Sequence, residues 1–269
     1  AYASHYGRYS KIENDMAVKE QANYMDNRAG GFLDYRVAEA LLLNAEVDYN
    51  FVGVNRYGYF WEGAASPLFD TSDEAMKQFY HNIHAKASFG NDFVNLDRFN
   101  FRVGVGMDYF ADKFKYDQLR WELDLKMGIR SGADGFLSLD GRAWLTSGMK
   151  NMKDIENRIV TVGLNYDYEF DGFRFRLGAG MGYSDPIFGA NAPDSAEFVF
   201  LPQVSLEKDF ADGMITPFAE LRSSITDNGY GQLALRNPYL YSGQWADNTV
   251  NYNARGGIKG AIGGAFKYM

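Results

Sequence analysis

Leu119-Arg-Trp-Glu-Leu-Asp-Leu-Lys-Met-Gly-Ile-Arg130 decides how the chain folds. Its odd positions, Leu119, Trp121, Leu123, Leu125, Met127 and Ile129, are all apolar, whereas Arg120, Glu122, Asp124, Lys126, Gly128 and Arg130 between them are charged or glycine. Side chains of an extended chain point alternately to opposite faces, so this stretch reads as a strand with one apolar and one charged face. The pattern recurs upstream, where Phe99, Phe101, Val103, Val105, Met107 and Tyr109 alternate with Arg98, Asn100, Arg102, Gly104, Gly106 and Asp108. Downstream, Val160, Val162, Leu164, Tyr166, Tyr168 and Phe170 alternate with Thr161, Gly163, Asn165, Asp167 and Glu169.

Extended along the chain, this reading predicts strands near residues 1–9, 31–38, 41–53, 78–90, 98–110, 118–130, 136–146, 158–170, 173–184, 196–210, 214–225 and 248–260, with a thirteenth beginning at Phe266. The connections alternate between two classes. Short ones fall at Glu39, 91–96, 131–135, Asp171-Gly172, Asp212-Gly213 and 261–264; longer ones fall at 10–30, 54–77, 111–117, 147–157, 185–195 and 226–247. Short turns at one end and long loops at the other describe an antiparallel up-and-down transmembrane β-barrel, with turns in the periplasm and loops outside. The expected fold is therefore all-β, a single barrel domain over 1–269, with at least 12 strands and 14 or more when complete. Because single-chain bacterial barrels close on an even strand count, further strands or another chain are expected to seal the sheet.

Two Asp-Gly turns test the register, since a two-residue hairpin loop sets which residues face each other. Across Asp171-Gly172, Tyr168 meets Phe175 on the apolar face, while Glu169 meets Arg174 and Asp167 meets Arg176 on the polar one. Opposite charges opposed on one face and aromatics on the other are what a paired sheet requires. Across Asp212-Gly213, Phe210 should meet Ile215, and Leu206 should meet Ala219.

A soluble sandwich would also alternate, with the apolar face as its core. Strands of ten to thirteen residues are longer than soluble sheets use and suit a tilted bilayer crossing. A dozen meandering strands closed with the apolar side inward would leave a core too wide to fill. Aromatic residues, 16% of the chain, crowd the ends of the apolar face, where membrane interfaces favour amphipathic rings. The bilayer is therefore the first expected partner. No run approaches the roughly 20 apolar residues of a spanning helix. A net charge of −8 argues against nucleic acid as a partner, because phosphate neutralisation needs clustered Lys and Arg.

The polar face assigns lumen-facing positions to Arg102, Arg120, Glu122, Asp124, Lys126, Arg142, Asp167, Glu169, Arg174 and Arg176, with both signs interspersed. The long loops carry Trp61, Phe69, Tyr239, Tyr241 and Trp245, placed to fold over a pore or to contact a partner. Glycines at 178, 180 and 182 lie within a strand and lack the strand-turn-helix setting of a dinucleotide site. With no cysteine there is neither a disulfide nor a thiolate metal site, and no cofactor is expected. A lipase would have to draw on His84 with a serine such as Ser88, without any nucleophile motif around them; the expectation is that the chain is not an enzyme.

Several segments carry a family resemblance: Leu201-Pro-Gln-Val-Ser-Leu-Glu-Lys-Asp-Phe210, Thr216-Pro-Phe-Ala-Glu220, Thr226-Asp-Asn-Gly-Tyr230, Asn237-Pro-Tyr-Leu240 and Asn251-Tyr-Asn-Ala-Arg-Gly-Gly-Ile-Lys-Gly260. Together they resemble the barrel portion of outer-membrane proteins of Bacteroidota related to TonB-dependent receptors, over about the last quarter of the chain. That resemblance implies the outer membrane of a Gram-negative bacterium, and often a plug domain and a TonB box. Some barrels of this look are subunits of envelope machines. The expected function is therefore solute transport or a pore through a polar lumen, beside a scaffold reading with outer-membrane or surface lipoprotein partners.

Overall fold

Alternation becomes geometry in the computed structural model, which describes residues 1–13, 19–21, 23–55, 77–185, 197–211, 213–240, 242–243, 246–262 and 266–268. Thirteen strands form one sheet in which each pairs with its sequence neighbours. They are β1 (Tyr2–Arg8), β4 (Tyr24–Ala38), β5 (Leu41–Asn55), β6 (Lys77–Asn91), β7 (Asn100–Asp112), β8 (Tyr116–Ser131) and β9 (Gly135–Lys150). There follow β10 (Glu156–Phe170), β11 (Phe173–Ser184), β12 (Glu197–Lys208), β13 (Thr216–Thr226), β14 (Thr249–Ile262) and β15 (Phe266–Tyr268). A small separate hairpin, β2 (Lys11–Glu13) with β3 (Lys19–Gln21), stands between β1 and β4. Among the described residues no pairing joins the first and last strands, so the sheet has two open edges.

The turns explain the register. Asp171 and Gly172 both take positive φ, 48° and 66°, which matches the twist of a two-residue hairpin. Phe170 then faces Phe173, Asp167 faces Arg176 and Glu169 faces Arg174. At the next turn Phe210 faces Ile215, and Leu206 faces Ala219 in the ladder beyond. Several expectations need correction. The strand placed at 31–38 begins at Tyr24, and part of the loop placed at 10–30 pairs as the β2–β3 hairpin. The longer connections placed at 111–117 and 147–157 shorten to 113–115 and 151–155 because β7 to β10 continue pairing there, while the connection placed at 91–96 spans 92–99. The segment from Tyr24 to Gly30 lacks the apolar alternation of a bilayer strand, but pairing with β1 on one side and β5 on the other supplies its backbone hydrogen bonds.

The two faces separate membrane from soluble sheet. Val103, Val105, Trp121, Leu123, Ile129, Val162, Leu164, Leu177 and Met181 are each 44–55% exposed. In a sandwich these would be the core; left bare in nine places across β7, β8, β10 and β11, they need lipid to cover them. The strands of 15 and 16 residues in β4 to β6 and β8 to β10 exceed the roughly 9–11 residues of a tilted crossing, so their ends extend beyond the apolar band. The surplus is where the core sits. A cluster of Val52, Val54, Tyr80, Phe110 and Met152 is buried against one helix, α1 (Tyr230–Arg236), in the connection from β13 to β14.

Candidate functional site

The face opposite the exposed apolar one carries a network of charge. Lys86 Nζ lies 3.2 Å from Glu122 and 2.6 Å from Asp124, and Arg142 donates to the other oxygen of Asp124 at 2.9 Å. Arg120 reaches Asp108 at 2.7 Å. Arg176 pairs with Asp167 at 2.5 Å. Arg174 faces Glu169 in register, yet its ion pairs are with Glu207 and Asp209, both at 3.0 Å, on the β12 side. Arg102 and Lys126 are different. Among the described residues neither has a carboxylate partner; both lie over the Phe93 ring, at 6.0 and 5.1 Å from its centre.

Of the sequence-predicted positions, Arg102, Asp124, Lys126 and Arg142 line a cavity of about 510 Å³ midway along the strands, with Arg120 and Glu122 next to them in the same rows. Asp167, Glu169, Arg174 and Arg176 line a second cavity of about 970 Å³ at the short-turn end. Tyr239 packs against the buried cluster at the loop end. Trp61, Phe69, Tyr241 and Trp245 lie outside the described residues.

The long connection expected at 226–247, with residues placed to fold over a pore or to contact a partner, turns inward in its described residues and lands on distant strands. Asp227 accepts from Arg120 of β8 at 3.3 Å and from Asn157 of β10 at 3.0 Å. Tyr80 of β6 donates its hydroxyl to the Pro238 carbonyl at 2.9 Å, and Gln78 donates to Ser242 at 2.8 Å. Strands β6 and β13 are seven places apart in the sheet, so such contacts require the sheet to curl around its charged face. At the base of the loop, Asn248 donates to Asn157 at 2.7 Å and to Ser184 at 2.8 Å.

Helix α1 follows from its spacing. Tyr230, Leu233 and Ala234 fall at i, i+3 and i+4, which makes one apolar face, and Tyr230 and Ala234 are fully buried. Seven residues cannot hold a helix alone in water, so the packing must hold it. Gly231 permits that packing, since a Cβ there would meet Gln118 Oε1 at 2.6 Å and Phe110 at 3.0 Å. Tyr230 stacks edge-on against Phe110 and Tyr116 and donates to Asp112 at 2.7 Å. Burial pushes the Tyr230 hydroxyl well above the ordinary phenol range.

The inward apolar residues of the wall, Val52, Val54, Tyr80 and Phe110, occupy positions that alternation assigns to the polar face. A signal was present. Phe51-Val52, Phe79-Tyr80 and Tyr109-Phe110 are consecutive apolar pairs, so alternation fails on both faces at once near the loop ends. The serine and histidine considered for hydrolysis are not brought together: His84 Nδ1 is 2.8 Å from Asp108, while the Ser88 hydroxyl bonds Asn44 at 3.5 Å. Among the described residues no group of three or more His, Asp or Glu is arranged to hold a metal ion.

No protein-family profile and no curated protein matches the chain. Solved structures do match. The alcaligin outer membrane receptor FauA from Bordetella pertussis superposes with a TM-score of 0.56 at 12% identity, covering 97% of this chain and 43% of the receptor. FpvA of P. aeruginosa, solved bound to heterologous pyoverdines, gives 0.57 at 13% identity, covering 97% and 42%. The chain thus spans less than half the length of these receptors. A loop-deleted OmpT, an outer membrane protein of Vibrio cholerae, matches at 0.41 and 13% identity, over 81% of this chain and 90% of its own. The expectation that the chain is not an enzyme is withdrawn: similarity to solved structures at 12–13% identity shows a fold, and a fold does not decide whether a protein is an enzyme. A curled antiparallel sheet with a bare apolar face and a charged inner one, in the barrel fold of these two receptors, is a β-barrel wall of the outer-membrane type.

Proposed function

We propose that the chain forms the wall and inner cap of an outer-membrane transport barrel, with a solute pathway through its charged interior. One observation carries this reading: Asp227, Pro238 and Ser242 of the connection after β13 are anchored on the inner wall, while cavities remain elsewhere along the same interior. Leu235, Tyr239 and Leu240, which could have faced a surface partner, pack instead against the buried cluster. The positions named as lumen-facing, Arg102 to Arg142 and Asp167 to Arg176, are the walls of that pathway. The resemblance of residues 201–260 to Bacteroidota barrels related to TonB-dependent receptors supports the same reading.

The free edge of β1 and the part of β14 beyond its short pairing with β15 have no neighbouring strand among the described residues. An open edge in lipid leaves backbone groups unsatisfied at several kcal/mol each. We propose that further strands, from the same polypeptide or a second one, complete the barrel there. The test of function is electrical. The native protein in a planar bilayer should give discrete conductance steps, and removing residues 228–245 should enlarge them while heat-modifiable migration persists. A silent barrel in both forms, with the deletion releasing a co-purifying lipoprotein, would replace transport by scaffolding.

A further inference from the structure

Among the seams between two long strands, one differs from the rest. Strand β12 pairs with β11 over twelve residues, from Phe173↔Lys208 to Ser184↔Glu197. Its ladder with β13 has only four pairs, Val204↔Leu221 to Glu207↔Phe218. The remaining half of β12 contains Pro202, which has no N–H to give to a ladder. Two side-chain hydroxyls bridge the gap instead. Ser223 donates to the Pro202 carbonyl at 2.7 Å, and Tyr252 of β14 donates to the Phe200 carbonyl at 2.9 Å.

The seam is apolar through its thickness. On the outer side Phe198, Phe200 and Tyr252 are 70%, 56% and 56% exposed. Within it Ile225 packs on Leu201 and Ile159, and Gly182 leaves the room, since a Cβ there would meet Ile225 Cδ1 at 2.5 Å. Leu201, Ser223 and Ile225 also line the 510 Å³ cavity. Across that cavity stand Lys86, Arg102, Lys126 and Arg142 against the carboxylates Asp124 and Asp140. Of these four cations Lys86 and Arg142 are paired, with Glu122 and Asp124, whereas Arg102 and Lys126 have no carboxylate partner among the described residues.

We propose that the seam between β12 and β13 is a lateral passage joining this cavity to the bilayer, and that the cavity binds an acidic amphiphile. The head group sits at Arg102 and Lys126, and the apolar chain lies along Leu201 and Ile225. The volume is of the size that holds a small ligand. The part of this seam beyond its four paired positions, bridged by two hydroxyls, opens with far less loss than a continuous backbone ladder, which places the opening here and not at a neighbouring seam. The proposal rests on the transport reading of the barrel.

The test uses the absence of native cysteine. Pro202→Cys with Ser223→Cys in the full protein, reconstituted in phosphatidylcholine vesicles, is bridged by a short reducible bis-thiosulfonate linker. The probe is laurate carrying a photoreactive diazirine, added either from solution or preloaded in the vesicles, with labelled peptides read by mass spectrometry. Labelling at Leu201, Ile225 and the Arg102 strand is expected from preloaded probe, blocked by the bridge and restored by reductant. Preloaded probe that enters the bridged protein equally well overturns the seam; entry from solution alone, unaffected by the bridge, does the same. Arg102→Gln with Lys126→Gln should lower labelling about tenfold, as loss of a charge-assisted hydrogen bond does, while a laurylcholine analogue should not label the cavity in either form. Equal labelling by both head groups overturns the head-group assignment. Ionic conductance of the same vesicles reports separately on transport: channels that persist while laurate stays on the outer face would sink this inference and leave the transport reading standing.

Discussion

The two ends of the interior are built from the same strands and differ in what those strands turn inward. At the short-turn end, Asp167, Glu169, Arg174, Arg176 and Glu207 border a cavity of about 970 Å³. At the loop end, Val52, Val54, Tyr80 and Phe110 occupy the same face, and Tyr230 and Ala234 close down on them with no exposure. Period-two strands therefore set which face is inner, and the composition of that face along the strand sets whether it stays wet. Where the inner face turns aromatic, a loop can land and exclude water. Where it stays charged, the chamber remains open.

This contrast should show first in mutational cost. Tyr230→Ala removes the largest fully buried ring of α1, and truncations of this size in packed sites cost about 3–5 kcal/mol. Amide exchange at Gly231 and Asn237 should accelerate accordingly, with the β8–β9 ladder unchanged. Exchange that accelerates uniformly through the sheet would mean that the loop is part of one cooperative unit and not a separable cap. Asp227→Ala comes next. It strips Arg120 and Asn157 of an acceptor at a nearly buried site and should cost about 1–3 kcal/mol by the same readout.

Alkali gives a smaller effect with a definite sign. The Tyr230 hydroxyl is raised in the folded state, so its contribution is complete below the ordinary phenol value of about 10 and falls as pH rises above it. Loop exchange corrected for intrinsic rate should therefore increase above that pH in the native protein, and the increase should be smaller in Tyr230→Phe. The smallest effect belongs to the other end. Arg176→Gln breaks an ion pair whose members are 48% and 33% exposed, and such pairs contribute about 0–1 kcal/mol. A loss there comparable with Tyr230→Ala would erase the distinction between the two ends.

Much of the wall was legible from alternation alone, including the thirteenth strand at Phe266 and the pairing across Asp171-Gly172, because face and register obey the same period. The fold beyond the bilayer was less so. From Tyr24 to Gly30 the strand is held by neighbours on both sides and needs no apolar face, so periodicity passes over it. Helix α1 exists through contacts with strands remote in sequence, which a seven-residue window cannot contain. The charged positions were identifiable as one face, but their partners depend on curl and side-chain reach: Arg174 bypasses Glu169 for Glu207 and Asp209. Pro202 lies inside the strand predicted at 196–210, and its consequence for the β12–β13 ladder emerges only from the register of both neighbours.

Thiol reactivity at three single-cysteine positions tests the central claim most directly, because the chain has no cysteine of its own. Leu123→Cys lies on the bare apolar face, Ser205→Cys borders the wet cavity, and Ala234→Cys sits under the cap. In vesicles the account predicts that Leu123→Cys reacts only with a lipid-soluble maleimide and Ser205→Cys rapidly with a charged thiosulfonate. Ala234→Cys should react slowly with both until Tyr230→Ala is added. Rapid modification of Leu123→Cys by the charged reagent, at the rate of Ser205→Cys, would contradict a membrane-embedded sheet with a capped polar interior.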